Sequence, residues 1–67
     1  MVTLKVNGTD KEFDDNLNIS SLLEGLHIKN PMIIVELNKD VISKDLYNST
    51  LLKNGDNIEI ITIMGGG

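Results

Sequence analysis

Hydrophobic and polar residues alternate at the start of the chain. Val2, Leu4 and Val6 are each separated by one polar residue, which is the period-two pattern of a strand with one buried face. Asn7-Gly8 follows, and this pair readily adopts the positive φ angles of a tight hairpin turn. The pattern therefore predicts a β-hairpin over residues 2–14.

A helical pattern follows Asn18. Ile19, Leu22, Leu23 and Leu26 fall at i, i+3, i+4 and i+7, which places them on one face of a helix. Asn18 suits the N-cap, and the leucine before it is spaced to pack on Leu22 as a hydrophobic staple. A capping box between positions 21 and 24 is an alternative start. We expect a short helix that ends near residues 26–27.

The middle of the chain predicts a pair of strands. Residues 32–37 form an apolar, β-branched run that is too short for a helix and has the composition of a largely buried strand. A turn at residues 38–40 leads to a short partner strand at residues 41–42.

The last third of the chain begins irregularly and ends in a strand. Residues 43–50 lack periodicity, and we expect one helical turn there that places Leu46 or Tyr47 under the sheet. After a turn at residues 54–56, the final strand spans residues 57–63. Its alternation directs Ile58 and Ile60 to the core.

The order of these elements predicts a two-layer α+β fold, because a helix between a hairpin and later strands needs a sheet face to cover. In so few residues the order resembles the β-grasp (ubiquitin-like) fold, a mixed sheet of about five strands packed on one helix. The resemblance implies that the last strand lies parallel to the first. We expect one β-grasp domain over residues 1–64 and a flexible glycine tail over residues 65–67.

Composition and charge exclude several functions. The chain has 67 residues and no cysteine, so neither disulfides nor thiolate metal sites can stabilise it. The net charge of −4 argues against nucleic-acid binding, which needs clustered Lys and Arg. No apolar run approaches the ~20 residues of a membrane span, and we expect a cytoplasmic protein.

The final strand leads directly into Met64 and three glycines, Gly65, Gly66 and Gly67. Because glycine has no Cβ, such a tail fits through a narrow space. We expect the chain to end at Gly67 and its α-carboxylate to be the reactive group, a weak nucleophile until it is activated. When extended, residues 64–67 reach about 13–14 Å, enough to cross a channel to a buried nucleotide.

The alternation also leaves Ile61 and Ile63 on the face opposite to the core. An open sheet face with large apolar residues indicates docking, so we expect Ile61, Ile63 and Met64 to form the partner interface. The alternative is that residues 43–50 cover this face. The acidic surface is expected to speed association with a basic partner, so that association slows as salt rises.

Three stretches of the sequence resemble the ThiS family of sulfur carriers from thiamine biosynthesis. They are NISSLL at residues 18–23, VELN with the following Val41-Ile42, and GDNIEI with the closing IMGGG. Together they span nearly the whole chain. The family requires two terminal glycines, so Gly65 is an additional one, and Asn18 stands where threonine is more usual; both residues cap helices.

The resemblance implies a mechanism and a set of partners. A ThiF-like adenylating enzyme uses ATP and Mg²⁺ to adenylate the Gly67 carboxylate, and a sulfur donor protein then displaces AMP to leave a thiocarboxylate. A ThiG-like thiazole synthase takes this sulfur for the thiazole ring. The protein is then a co-substrate, not an enzyme, and has no catalytic residues and no bound cofactor or metal.

Other interpretations are a MoaD-like sulfur carrier for another pathway, a ubiquitin-like modifier and a non-covalent binding module. The remaining polar residues offer little chemistry. His27 stands alone at a helix end, where histidine more often interacts with terminal carbonyls. The acidic residues at positions 10, 12, 14 and 15 lack the spacing of a calcium loop, and Ser20, Ser21 and Ser43 have no histidine close in sequence.

Overall fold

The computed structural model describes residues 1–63, which form one helix and five strands around a common core. The elements in chain order are β1 (Val2–Val6), β2 (Thr9–Phe13), α1 (Ile19–Gly25), β3 (Ile33–Leu37), β4 (Asp40–Ile42), a 3₁₀ turn (Lys44–Leu46) and β5 (Asn57–Thr62). The strand order is β2-β1-β5-β3-β4. β5 runs parallel to β1 and antiparallel to β3, so the predicted α+β fold and its parallel pairing are confirmed.

Two tight turns close the two hairpins of this sheet. Asn7 and Gly8 have φ angles of 48° and 84°, and Asn38 and Lys39 have φ angles of 50° and 74°. Positive φ at both central residues characterises the two-residue turn whose twist matches that of the flanking strands. Both predicted turns are confirmed, although Asp40 belongs to β4 and not to the second turn.

The helix begins as its capping residue predicts. The Asn18 side chain accepts a hydrogen bond from the Ser21 backbone N–H at 2.8 Å, so the helix starts at Ile19 and not at the alternative position 21. The Asn18 amide also donates to the Asn48 carbonyl at 3.2 Å, which ties the helix start to the segment after the 3₁₀ turn.

The helix ends with a backbone motif that places His27 in the left-handed region. The Ile28 N–H donates to the Leu23 carbonyl at 2.9 Å, and the His27 N–H donates to the Glu24 carbonyl at 3.0 Å. These two bonds form the Schellman motif, whose left-handed position is usually glycine. His27 adopts it with φ 59°. Its main chain, not its ring, satisfies the terminal carbonyls.

The core lies between α1 and one face of the sheet. Five of its side chains are almost completely buried: Leu4, Ile19, Leu22, Val35 and Ile58. Tyr47 is also buried, and burial raises the pKa of its hydroxyl, whereas Leu46 is 48% exposed. The segment after β4 therefore places Tyr47, and not Leu46, against the core.

Two predicted details of β3 and β5 are wrong. β3 begins at Ile33 and β5 ends at Thr62, one residue inside each predicted boundary. Val35 is the only fully buried residue of β3, because the helix covers one face of the sheet and alternate side chains of the strand point to the other.

Replacing His27 by glycine tests the strain at the helix end. His27→Gly should stabilise the protein by about 1 kcal/mol, because glycine adopts the left-handed region without a Cβ penalty. The melting temperature should rise by about 4–8 °C. The matched control is His27→Ala, which keeps the penalty and should give no increase. An equal increase in both variants would contradict this account.

Candidate functional site: the root of the tail and the outer sheet face

β5, the strand that leads into the glycine tail, is hydrogen-bonded along both edges. On one edge, the Lys5 N–H donates to the Asp56 carbonyl at 3.0 Å and the Asn7 N–H donates to the Ile58 carbonyl at 2.9 Å. On the other edge, five residue pairs join β5 to β3. The Ile63 N–H then donates to the Met32 carbonyl at 2.8 Å, one step beyond the strand.

The Asn7 side chain extends the β1 edge after β1 itself has ended at Val6. Its Oδ1 accepts a hydrogen bond from the Ile60 N–H at 2.7 Å, and its Nδ2 donates to the Ile60 carbonyl at 3.3 Å. A side-chain amide carries the same donor and acceptor as a peptide group, so Asn7 takes the place of the next strand residue. It fixes the backbone of β5 three residues before Ile63.

Asn38 holds the beginning of β5 in a similar way. Its Oδ1 accepts from the Asn57 N–H at 2.9 Å, and its Nδ2 donates to the Asp56 carboxylate at 3.1 Å. The other oxygen of Asp56 accepts from the Lys53 N–H at 2.8 Å. Asparagines from the turns of both hairpins therefore bind β5, which gives the tail a fixed origin.

The two faces of β5 are both apolar near its end. Ile58 is fully buried and Ile60 is half-buried against the core. Ile61 and Ile63 lie on the opposite face and are 43% and 42% exposed. The predicted division of the four isoleucines between the two faces is therefore confirmed, and the segment over residues 43–50 does not cover the exposed pair.

Neighbouring strands enlarge this exposed surface. Ile34 lies opposite Ile61 across the β3–β5 pair, and Met32, which is 49% exposed, lies opposite Ile63. Val41, on β4, shares the face and is 67% exposed. We call the set the outer apolar patch: Met32, Ile34, Val41, Ile61 and Ile63. Contiguous exposed apolar surface is a common feature of protein interaction sites.

The titratable groups with clearly shifted pKa values lie away from this patch. A hydrogen bond to the Asp15 carboxylate, 2.9 Å away, raises the pKa of the Met1 ammonium. Hydrogen bonds from the Ser43 hydroxyl and from its own backbone N–H lower the pKa of the Asp45 carboxyl. Both groups are fully exposed, and their bonds are local to the chain start and the 3₁₀ turn.

Within residues 1–63, no group of three or more histidine and acidic side chains is arranged to hold a metal ion. None of the described helices is long and apolar enough to cross a membrane. A shallow hollow lined by Thr3, Lys5, Asp10 and Asn54 lies at the end of the sheet where β5 begins. It is remote from Ile63, so the hollow is not part of the tail site.

The reactive residue predicted from the sequence lies outside the described residues. This applies to Gly67, to Gly65 and Gly66 of the predicted tail, and to Met64 of the predicted interface. The structure describes Ile63, the residue that precedes them, and the outer apolar patch beside it.

Comparison with known proteins identifies the family. The sequence model of the ThiS family matches residues 4–67. The sulfur carrier protein ThiS of Bacillus subtilis is 38% identical over 65 residues, covering 96% of this chain and 98% of that protein. The chain belongs to the ThiS family. The crystal structure of the thiamine biosynthesis protein ThiS from Geobacter metallireducens matches with a TM-score of 0.86 at 35% identity, over 98% of this chain and 100% of that one.

A second kind of relative joins a ThiS-like sequence to an enzyme. A thiazole synthase of Paramagnetospirillum magneticum is 30% identical over 64 residues, which are 96% of this chain but only 20% of that protein. In that protein a ThiS-like segment and a thiazole synthase are therefore one polypeptide.

Sequence reasoning missed the asparagine bonds and three of the five residues of the outer apolar patch. Asn7 and Asn38 were expected only as turn residues, and turn composition does not show that their amides reach β5. Ile34 and Val41 could have been assigned to the outer face from strand alternation, but their proximity to Ile61 depends on the β5–β3 register.

Replacing Asn7 by glycine tests whether its amide holds β5. Asn7→Gly keeps positive φ accessible but removes both bonds to Ile60, so the free energy of unfolding should fall by about 1–2 kcal/mol. Hydrogen exchange of the Ile60 amide should accelerate at least about tenfold. The Ile63 amide, which donates to the Met32 carbonyl and not to Asn7, is the internal control and should change less. Unchanged exchange at Ile60 would show that the side chain does not secure the strand.

Proposed function

We propose that this chain is a sulfur carrier of thiamine biosynthesis and that its Gly67 carboxylate carries the sulfur as a thiocarboxylate. The observation that supports this most directly is the family match, which continues through the glycines to residue 67. The named ThiS relative from Bacillus subtilis is itself a sulfur carrier protein and is matched over nearly its whole length.

The chemistry requires an activated carboxylate. A carboxylate oxygen attacks the α-phosphorus of ATP, pyrophosphate leaves, and an acyl-adenylate forms at Gly67. Hydrosulfide supplied by the sulfur donor then attacks the carbonyl carbon, AMP leaves with the original oxygen and the proton on sulfur is lost, so one oxygen is exchanged for sulfur with no change of oxidation state. Because free carboxylate is a poor acyl group, this activation falls to a partner that supplies ATP and Mg²⁺.

The described residues contribute a fixed starting point for the tail. Hydrogen bonds on both edges hold β5 as far as Ile60 on one side and Ile63 on the other. Only four residues separate Ile63 from the Gly67 carboxylate, so docking of the domain defines a small volume that this group can reach. Such positioning matters because misplacement of a reacting group by about 1 Å can cost 10²-fold in rate.

The partners in this proposal are a ThiF-like adenylating enzyme, a sulfur donor protein and a thiazole synthase. The joined arrangement in the Paramagnetospirillum magneticum thiazole synthase supports the last of these. We assign docking to the outer apolar patch, which adjoins the tail root at Ile63. The protein acts as a recycled co-substrate and needs no catalytic side chain; the cytoplasm remains its predicted compartment.

Extending the terminus tests the acyl site. With ATP, Mg²⁺, the adenylating enzyme and a sulfur source, the natural protein should gain the mass of one oxygen-to-sulfur exchange at Gly67. A variant with one alanine appended to Gly67 should stay folded but lose this mass change, because its carboxylate lies up to about 3.3–3.6 Å too far along the tail. Normal sulfur transfer by the extended protein would refute the mechanism. Deletion of Gly67 is less decisive, since Gly65-Gly66 remains a diglycine end.

An acidic residue in the patch tests the docking surface. Ile61→Asp should reduce kcat/KM for adenylation by at least about tenfold, because an unpaired carboxylate is then desolvated in the interface. The matched control is Leu51→Asp, an equal change at a side chain that is 57% exposed and outside the patch. Melting curves establish that both variants fold. Equal activity of the two would place the interface elsewhere.

A further inference from the structure

Two glutamates face each other beside the outer apolar patch. Glu36 on β3 pairs with Glu59 on β5, in the same antiparallel register that places Ile34 opposite Ile61. Directly opposite residues on one face have Cβ atoms about 4.5–5.5 Å apart, and like charges in such a pair destabilise the sheet. Glu36 is half-buried and Glu59 is exposed.

No cation among residues 1–63 neutralises this pair. The ion pairs in the described part of the chain join the Met1 ammonium to Asp15 and the Lys5 ammonium to Asp10. Lys5 lies on the same face, on β1, but its Nζ is 3.5 Å from the Asp10 carboxylate. The two glutamates are therefore adjacent like charges without an ion-pair partner among the described residues.

The position of the pair connects it to the docking surface. Glu59 precedes Ile61 by two residues, so both side chains project from the same face of β5. Val41, a member of the outer apolar patch, lies opposite Glu36 on β4, the strand that pairs with the other edge of β3. A partner that covers the patch must therefore also cover, or stop beside, the two carboxylates.

We propose that the ThiF-like adenylating enzyme, when it docks on the outer apolar patch, inserts a cationic side chain, an arginine by preference, between Glu36 and Glu59. This rests on the proposed function, because it names the chemistry of the partner at the same surface. A guanidinium has several donors in a planar fork and can bond two carboxylates at once, whereas an ammonium acts as a point charge. The outer apolar patch supplies contact area. The glutamate pair fixes the orientation of the docked partner and disfavours partners that lack a cation at this position.

Removing either glutamate charge should change stability and partner binding in opposite directions. Glu36→Gln and Glu59→Gln each remove the repulsion, so each should raise the melting temperature by about 1–5 °C. Each should also raise KM for the carrier by about three- to tenfold in adenylation by the ThiF-like enzyme of the same organism, with kcat nearly unchanged. The reaction occurs at the far end of the tail, so the glutamates influence docking and not the chemical step.

Glu24→Gln is the matched control. Glu24 is exposed on α1, away from the outer face, and its substitution changes the net charge by the same amount. The salt dependence of KM should become weaker in the Glu36 and Glu59 variants than in the Glu24 variant, because only the former lose a local ion pair with the partner.

The outcomes separate this inference from the proposed function. If the natural protein is adenylated but the Glu36 and Glu59 variants have the KM and salt dependence of Glu24→Gln, the glutamate pair does not bind the partner. A fall in melting temperature in both variants would likewise overturn the inference, because the pair would then be a structural interaction. If the natural protein is not adenylated at all, the proposed function itself fails.

Discussion

Hydrogen bonding of β5 along both of its edges is the interaction on which the sheet depends. Without this strand, the β1–β2 and β3–β4 hairpins have no shared edge, since β5 is the neighbour of both in the strand order. Each hairpin can form locally around its own turn, whereas β5 must pair across the whole length of the chain. Asn7 and Asn38, in the turns of the two hairpins, add side-chain hydrogen bonds to β5. Each hairpin is therefore bonded to β5 through its turn as well as through its strands.

β5 contributes alternate residues to the core and to the exposed outer face of the sheet. Ile58 contributes a completely buried side chain, while Ile61 and Ile63 remain more than two-fifths exposed on the other face. Because strand side chains alternate strictly, the position of Ile63 and the orientation of the outer apolar patch are set by the same backbone. The apolar face that is costly for a free monomer to expose is therefore held in a constant relation to the last described residue.

The fold could be predicted largely from the sequence because its signals are local. The Asn7-Gly8 turn, the Asn18 cap and the alternation in the last strand each depend on neighbouring residues only. Contacts between strands that are distant in sequence carry no such signal. The bond from Asn7 to Ile60 spans 53 positions, and the Glu36–Glu59 pair requires the β3–β5 register. The narrow tail and its reactive carboxylate were inferred from the glycines themselves, whereas adenylation and the thiocarboxylate came from the resemblance to a family.

The double-edged pairing of β5 also has a mechanical consequence. A force applied to Ile63 along the axis of β5 acts roughly at right angles to the hydrogen bonds of the sheet. The hydrogen bonds of β5 to β1, to β3 and to Asn7 then bear the force together, in shear, and do not break one after another. Such a force should therefore move the whole domain as one rigid unit before it separates β5 from the sheet.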